Sequence, residues 1–253
     1  MRLLKSKVSK LAAAAVAVAA IGVVGGPYVY IHFINKKAPP PLSFDALDTV
    51  VVDSGAPTTD PPATDPASTA DTAASTTGAF TLAGIWSVAQ PSTAGYRVKE
   101  VLFGQSTEGV GRTTDVTGSI TIDNNAITEG SISVDLTTLK SDQDRRDGQV
   151  QNRLLQTGQF PTAMFTVRSP AALPDVPAVG ATATLDLAGT LNLHGVEKEV
   201  IIPLLVKRTE AGFALTGSTT IAFADYKIED PSNPAVKTED HGLLELAMTF
   251  AKS

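Results

Sequence analysis

The stretch Leu185–Leu205, LDLAGTLNLHGVEKEVIIPLL, decides the fold. On its left arm Leu185, Leu187, Leu191 and Leu193 share one parity; Asp186, Ala188, Thr190 and Asn192 take the other. Side chains alternate between the two faces of a strand, so this arm reads as a strand with one apolar face. The right arm, Val196 to Val206, alternates less cleanly and ends in an apolar run. His194-Gly195 lies between the arms, and glycine tolerates the positive φ that tight hairpin turns demand. A strand that is apolar on one side must lay that side on a core. The hairpin therefore predicts a larger sheet around it.

Charge divides the 253 residues into three blocks. Residues 1–37 carry six Lys/Arg and no acid, residues 38–79 six Asp and no base, and residues 80–253 14 Lys/Arg against 20 Asp/Glu. The last block is acidic, which argues against nucleic acid as a partner, because such binding rests on Lys/Arg neutralising phosphates. Cysteine is absent, so no disulfide framework, thiolate site or Cys-based zinc site exists.

From Leu11 to Ile34 there is no charged side chain. As a helix these residues span roughly 36 Å, enough to cross a bilayer core. Arg2, Lys5, Lys7 and Lys10 precede the stretch and only Lys36 and Lys37 follow, which predicts a cytoplasmic N-terminus and an extracytoplasmic remainder. Residues 1–37 are thus expected to be a membrane anchor, with a cleaved signal segment and a secreted product as the competing reading. Gly22 and Gly26 form a GxxxG pair suited to helix contact, although Gly25-Gly26-Pro27 equally suits a kink. Residues 38–79, rich in Pro, Thr and Asp, are expected to be a disordered linker with an end-to-end distance of roughly 36 Å.

The folded domain is expected over residues 80–253. The predicted strands are Gly84–Ala89, Tyr96–Gly104, Asp115–Asp123, Ala126–Asp135, Met164–Ser169, Thr182–Leu193, Val196–Lys207, Phe213–Ala224 and Leu243–Lys252. Asn124-Asn125 and Ala211-Gly212 mark short turns, which favours an antiparallel meander. One helical interruption is predicted from about Asp142 to Gln156, N-capped by Ser141 with Asp144 three residues on, and open to a break at Gly148. An all-β antiparallel sheet of some eight strands with one helical excursion closes on itself or splits into two layers. A closed eight-stranded barrel has room for side chains or one small ligand.

Several stretches resemble the YceI family. Gly189 to Val200, GTLNLHGVEKEV, resembles its G-x-L-T-x-H-G-V-T-K-x-V signature. Arg146-Asp147, Leu154-Leu155 and Phe160-Pro161-Thr162-Ala163-Met164-Phe165 resemble a second segment of it, and Ile132–Leu139 the strand before that. Trp86 and Gly118 fall where the family often has Trp and Gly. Asn192 and Glu197 replace residues more typically Thr, and the stretch Ile221–Ile228 matches loosely. The resemblance implies a lipocalin-like barrel whose cavity holds a polyisoprenoid, an isoprenoid quinone or a similar amphiphile, in a protein that is periplasmic or secreted.

A buried isoprenoid chain needs an apolar tunnel and a few donors at its mouth. Candidate lining residues are Phe103, Ile132, Val134, Leu136, Phe165, Leu187, Leu191, Phe223, Leu246 and Met248. Any barrel needs inward apolar residues, so the alternative is a dry core in a tethered structural or interaction domain. Arg145 and Arg146 are head-group candidates, against pairing with Asp142, Asp144 or Asp147. His194 is a third, against a turn histidine bonded to backbone. The three histidines, His32, His194 and His241, have no metal-ligand spacing, and no metal site or cofactor is expected. There is no GxSxG, HExxH or phosphate-binding glycine loop, and no enzymatic activity is expected. The sequence leaves the oligomeric state open.

Overall fold

The protein is seen in a computed structural model, which describes residues 38–48, 81–102, 104–234 and 236–253. The expected anchor and its GxxxG pair, linker residues 49–79, and Phe103 lie outside the described residues.

Twelve strands form one sheet: β1 (Gly84–Leu102), β2 (Gln105–Thr113), β3 (Val116–Asp123), β4 (Ala126–Asp135), β5 (Lys140–Ser141), β6 (Thr162–Val167), β7 (Ala171–Ala172), β8 (Thr182–Leu193), β9 (Val196–Arg208), β10 (Gly212–Ala222), β11 (Val236–Thr238) and β12 (His241–Lys252). Eight of them close a ring in the order β1, β3, β4, β6, β8, β9, β10, β12 and back to β1, all antiparallel. Closure removes the exposed edges that an open sheet would leave.

The decisive hairpin is β8–β9. Its pairing runs without a slip from Leu193↔Val196 to Thr182↔Lys207. His194 and Gly195 take φ of 53° and 71°, and Asn124 and Asn125 in the β3–β4 turn 48° and 58°. Both are two-residue turns with paired positive φ, whose twist matches that of the strands they join.

The short strands β5, β7 and β11 were not expected, the expected strand Phe213–Ala224 ends at Ala222, and two larger differences concern β1 and β2. Gly84–Ala89 and Tyr96–Gly104 belong to one long strand, β1, which pairs along β12 with a register shift between Ala89 and Thr93. Side chains bridge the irregularity. Ser92 Oγ donates to Ala89 O at 2.6 Å and accepts from Thr249 N at 3.0 Å, and Thr249 Oγ1 donates to Pro91 O at 2.9 Å. Strand β2, QSTEGVGRT, has no apolar alternation to announce it, yet it pairs with the upper half of β1 over nine residues.

The helical excursion is shorter than expected. The α-helix covers Asp144–Gln149 and passes through Gly148 to a π-helix at Val150–Leu154. Its N-cap is Gln143, not Ser141. Ser141 serves a different contact: its backbone N–H and its hydroxyl both donate to Asp147 Oδ1, at 2.8 and 2.6 Å. Asp147, 5% exposed, thereby ties β5 to the helix.

The linker reading does not extend to residues 38–48. This segment, with a one-turn helix at Asp45–Asp48, lies against the outer wall of the barrel. Arg97 Nη2 donates to Pro39 O at 2.8 Å, and Arg112 Nη2 donates to Pro40 O. Lys207 Nζ sits 5.6 Å from the centre of the Phe44 ring. Leu42, Phe44 and Leu47 are half-buried, which gives a polar stretch enough apolar contact to settle. Beneath it, Arg97 joins Glu245 (2.6 Å) and Glu108 (2.6 Å), and Arg112 reaches Glu245 at 3.3 Å.

Candidate functional site

The barrel is hollow. A cavity of about 650 Å³ runs inside it, within the roughly 300–1,000 Å³ range of small-molecule sites. Burial of the inward side chains agrees. Trp86 and Phe213, rings 4.8 Å apart at 62°, are packed to 1% and 8% exposure, as in a filled core. Ile120, Ile132, Val134, Leu185, Leu215, Leu244 and Leu246 point inward yet are only half-buried, because their free surface faces the cavity. A sandwich with a dry core is not what the sheet builds.

Nine of the ten sequence-nominated lining residues stand on the cavity wall: Ile132, Val134, Leu136, Phe165, Leu187, Leu191, Phe223, Leu246 and Met248. Phe103 falls outside the described residues. The nine reach the wall from β4, its following turn, β6, β8, the turn after β10, and β12. Cross-strand register brings Ile132 opposite Phe165, and Phe165 opposite Leu191, so three strands share one apolar belt.

The head-group candidates separate. Arg145 and Arg146 line the cavity where the helical excursion covers it. Arg145 is exposed. Arg146 is drawn in: Nη1 donates to Asp142 Oδ1, and Nη2 lies 3.6 Å from Glu100 Oε2. Of the three expected acids, Asp142 pairs with Arg146, whereas Asp147 turns to Ser141 and to Lys140, 3.6 Å away.

His194 is not on the cavity wall, which corrects its nomination. Its Nδ1 is 2.9 Å from the carbonyl of Tyr226, and its ring packs edge-on to Phe160 at 4.8 Å. A Cβ on Gly195 would lie 2.5 Å from the Phe160 ring. Turn and aromatic thus lock together two segments distant in sequence, and His194 holds the wall rather than a ligand.

Sequence reasoning missed Tyr96 and Glu100, both on the cavity wall from β1. Burial pushes the Tyr96 phenol well above its ordinary range, against the pull of Arg146 and with help from the nearby acids. Burial also raises the Glu100 carboxyl, and Arg146 partly offsets it. Their sequence signal was a parity shared with Val98 and Leu102, a mix of polar and apolar side chains that hides an inward face. Among the described residues no group of three or more His, Asp or Glu is placed to hold a metal ion.

The profile of the YceI-like domain matches residues 69–250. The chain belongs to the YceI-like family. Among solved structures, a polyisoprenoid binding domain from Saccharophagus degradans matches with a TM-score of 0.54 at 21% identity, over 66% of this chain and 98% of that one. BcnA of Burkholderia cenocepacia matches with a TM-score of 0.47 at 16% identity, over 63% and 96%. No curated protein matches the chain. In this YceI-like barrel the segment Gly189–Val200 is the turn end of the β8–β9 hairpin, and the Arg146-Asp147 pair lies in the helix of the excursion that covers the cavity.

Proposed function

We propose that this YceI-like barrel binds a polyisoprenoid or an isoprenoid quinone in its cavity and sequesters or carries it. The observation that carries the reading is the hollow apolar interior, with half-buried Ile132, Val134 and Leu246 on its wall. Transfer of apolar chain from water onto such a wall gains about 0.8 kcal/mol per buried CH₂. The Saccharophagus degradans domain, described as polyisoprenoid binding, supports the same ligand class. The uncharged stretch Leu11–Ile34 with its basic flank supports an anchor in the cell membrane, the N-terminus cytoplasmic and the barrel extracytoplasmic. If the N-terminal segment is cleaved, the barrel is secreted. Among the described residues no helix is long and apolar enough to cross a membrane.

The test is transfer of a radiolabelled polyprenol and a radiolabelled menaquinone from phosphatidylcholine vesicles to the full chain in nanodiscs. Saturable uptake near one lipid per chain is expected. Uptake no greater than that of empty nanodiscs contradicts the reading. Protease accessibility of the barrel in intact cells tests the location.

A further inference from the structure

The cavity wall is mostly apolar, and one polar strip on it stands out. Strand β2 carries Gly109 and Gly111, two positions apart on one face and therefore about 7 Å from each other. A Cβ on Gly111 would lie 2.4 Å from the Tyr96 ring. A Cβ on Gly109 would lie 2.7 Å from the Glu100 carboxylate and 3.2 Å from Arg146 Nε. Two glycines thus make room for three polar side chains at the cavity wall.

Their charge and hydrogen-bond capacity are unevenly committed. Arg146 is bound on Nη1 by Asp142 and faces Glu100 with Nη2, two carboxylates against one guanidinium. The Tyr96 hydroxyl has no hydrogen-bond partner among the described residues. The Tyr96 side chain is half-buried on the cavity wall, so a ligand group in the cavity can take the free bond of its hydroxyl, a gain of about 0.5–1.5 kcal/mol.

We propose that this strip holds the head group of the bound lipid, and that the head is neutral: an alcohol, a phenol or a quinone carbonyl, bonded by Tyr96. The assignment rests on the lipid reading above. A phosphate or diphosphate head would have to displace two carboxylates from Arg146 or sit beside them, in a site where low polarity magnifies the repulsion. Arg145 does not compensate, because it is exposed and its charge is screened by salt.

Three ligands of one polyprenyl chain length separate the possibilities: the alcohol, the benzoquinone and the monophosphate, each titrated against the full chain in phosphatidylcholine nanodiscs. The alcohol and the quinone are expected to bind about tenfold more tightly than the phosphate. In Tyr96→Phe, which keeps the ring over Gly111, their affinity is expected to fall about three- to tenfold while that of the hydrocarbon squalene stays unchanged. In Glu100→Gln the gap to the phosphate narrows. Phosphate binding as tight as that of the alcohol overturns the neutral head. An unchanged affinity in Tyr96→Phe overturns the contact. Binding of none of the three overturns the lipid reading itself.

Discussion

Leu246 separates a hollow interior from a filled one at the scale of a single side chain. It points inward from β12 and is half-buried. In a packed core a larger side chain forces strain of about 1–3 kcal/mol. On a cavity wall it finds space. Leu246→Trp is therefore expected to change stability in urea by less than about 1 kcal/mol, and to abolish lipid uptake. Tyr96 adds a pH dependence. Its folded-state pKa lies above its ordinary 10.0, so the unfolded chain releases the proton first as pH rises. The contribution is fully present below pH 10 and is lost above it. Urea melts are expected to show stability falling above pH 10, with a shallower fall in Tyr96→Phe. The wall residues Leu187 and Leu191 were legible in the sequence because strict alternation marks one face. Tyr96 and Glu100 were not, since polar side chains at inward positions read as outward ones until the strand beside them is seen. Of the two readings of His194, the turn histidine bonded to backbone is the one the structure takes, with Phe160 and the Tyr226 carbonyl enclosing it.

At the scale of elements, the β8–β9 hairpin and the outer-wall clasp carry separate tests. Gly195 combines a φ of 71° with an aromatic ring where its Cβ would be. Gly195→Val is expected to cost about 2–4 kcal/mol, from left-handed strain and the clash together, read as a lowered urea midpoint. The clasp joins Ala38–Asp48 to β1, β2 and β12 through Arg97, Arg112 and Glu245. Burial opposes the charge of Arg97, but hydrogen bonds to Glu245 and Glu108 outweigh it and raise its pKa. Glu245 is 3% exposed, so Glu245→Ala removes the buried carboxylate shared by Arg97, itself buried and left with Glu108 alone, and the half-buried Arg112. That change is expected to cost about 3–5 kcal/mol, measured by urea unfolding, and to speed amide exchange in β12. The hairpin was readable because local turn chemistry and alternation agree. The clasp was not: Pro39 and Pro40 contribute carbonyls, which every residue has, and nothing in a Pro-rich composition names the arginines that donate to them. The excursion was readable in type and misjudged in length, because Asp147 bonds back to Ser141 rather than leaving Ser141 to cap the helix.

For the whole molecule, closure of the sheet and emptiness of its interior are distinct properties. Eight strands and short turns made a barrel the natural reading, and the closing β1–β12 pairing realises it. Emptiness depends on how far opposing side chains reach, which no single strand discloses. Met248 is buried where Leu246, two positions away on β12, is not, and Leu136 in the turn after β4 is buried where Val134 at the end of that strand is not. The long β1 hid its continuity behind the Gln90–Ser92 irregularity, and β2 its existence behind glycines and polar residues. The most direct test of the central claim is native mass spectrometry of the full chain isolated from its own cells with no lipid added. One non-covalent adduct per chain is expected, with a mass that extraction and fragmentation identify as an isoprenoid, and it is expected to be absent from Leu246→Trp. A chain that carries no adduct and takes up neither polyprenol nor quinone when they are supplied would contradict the account.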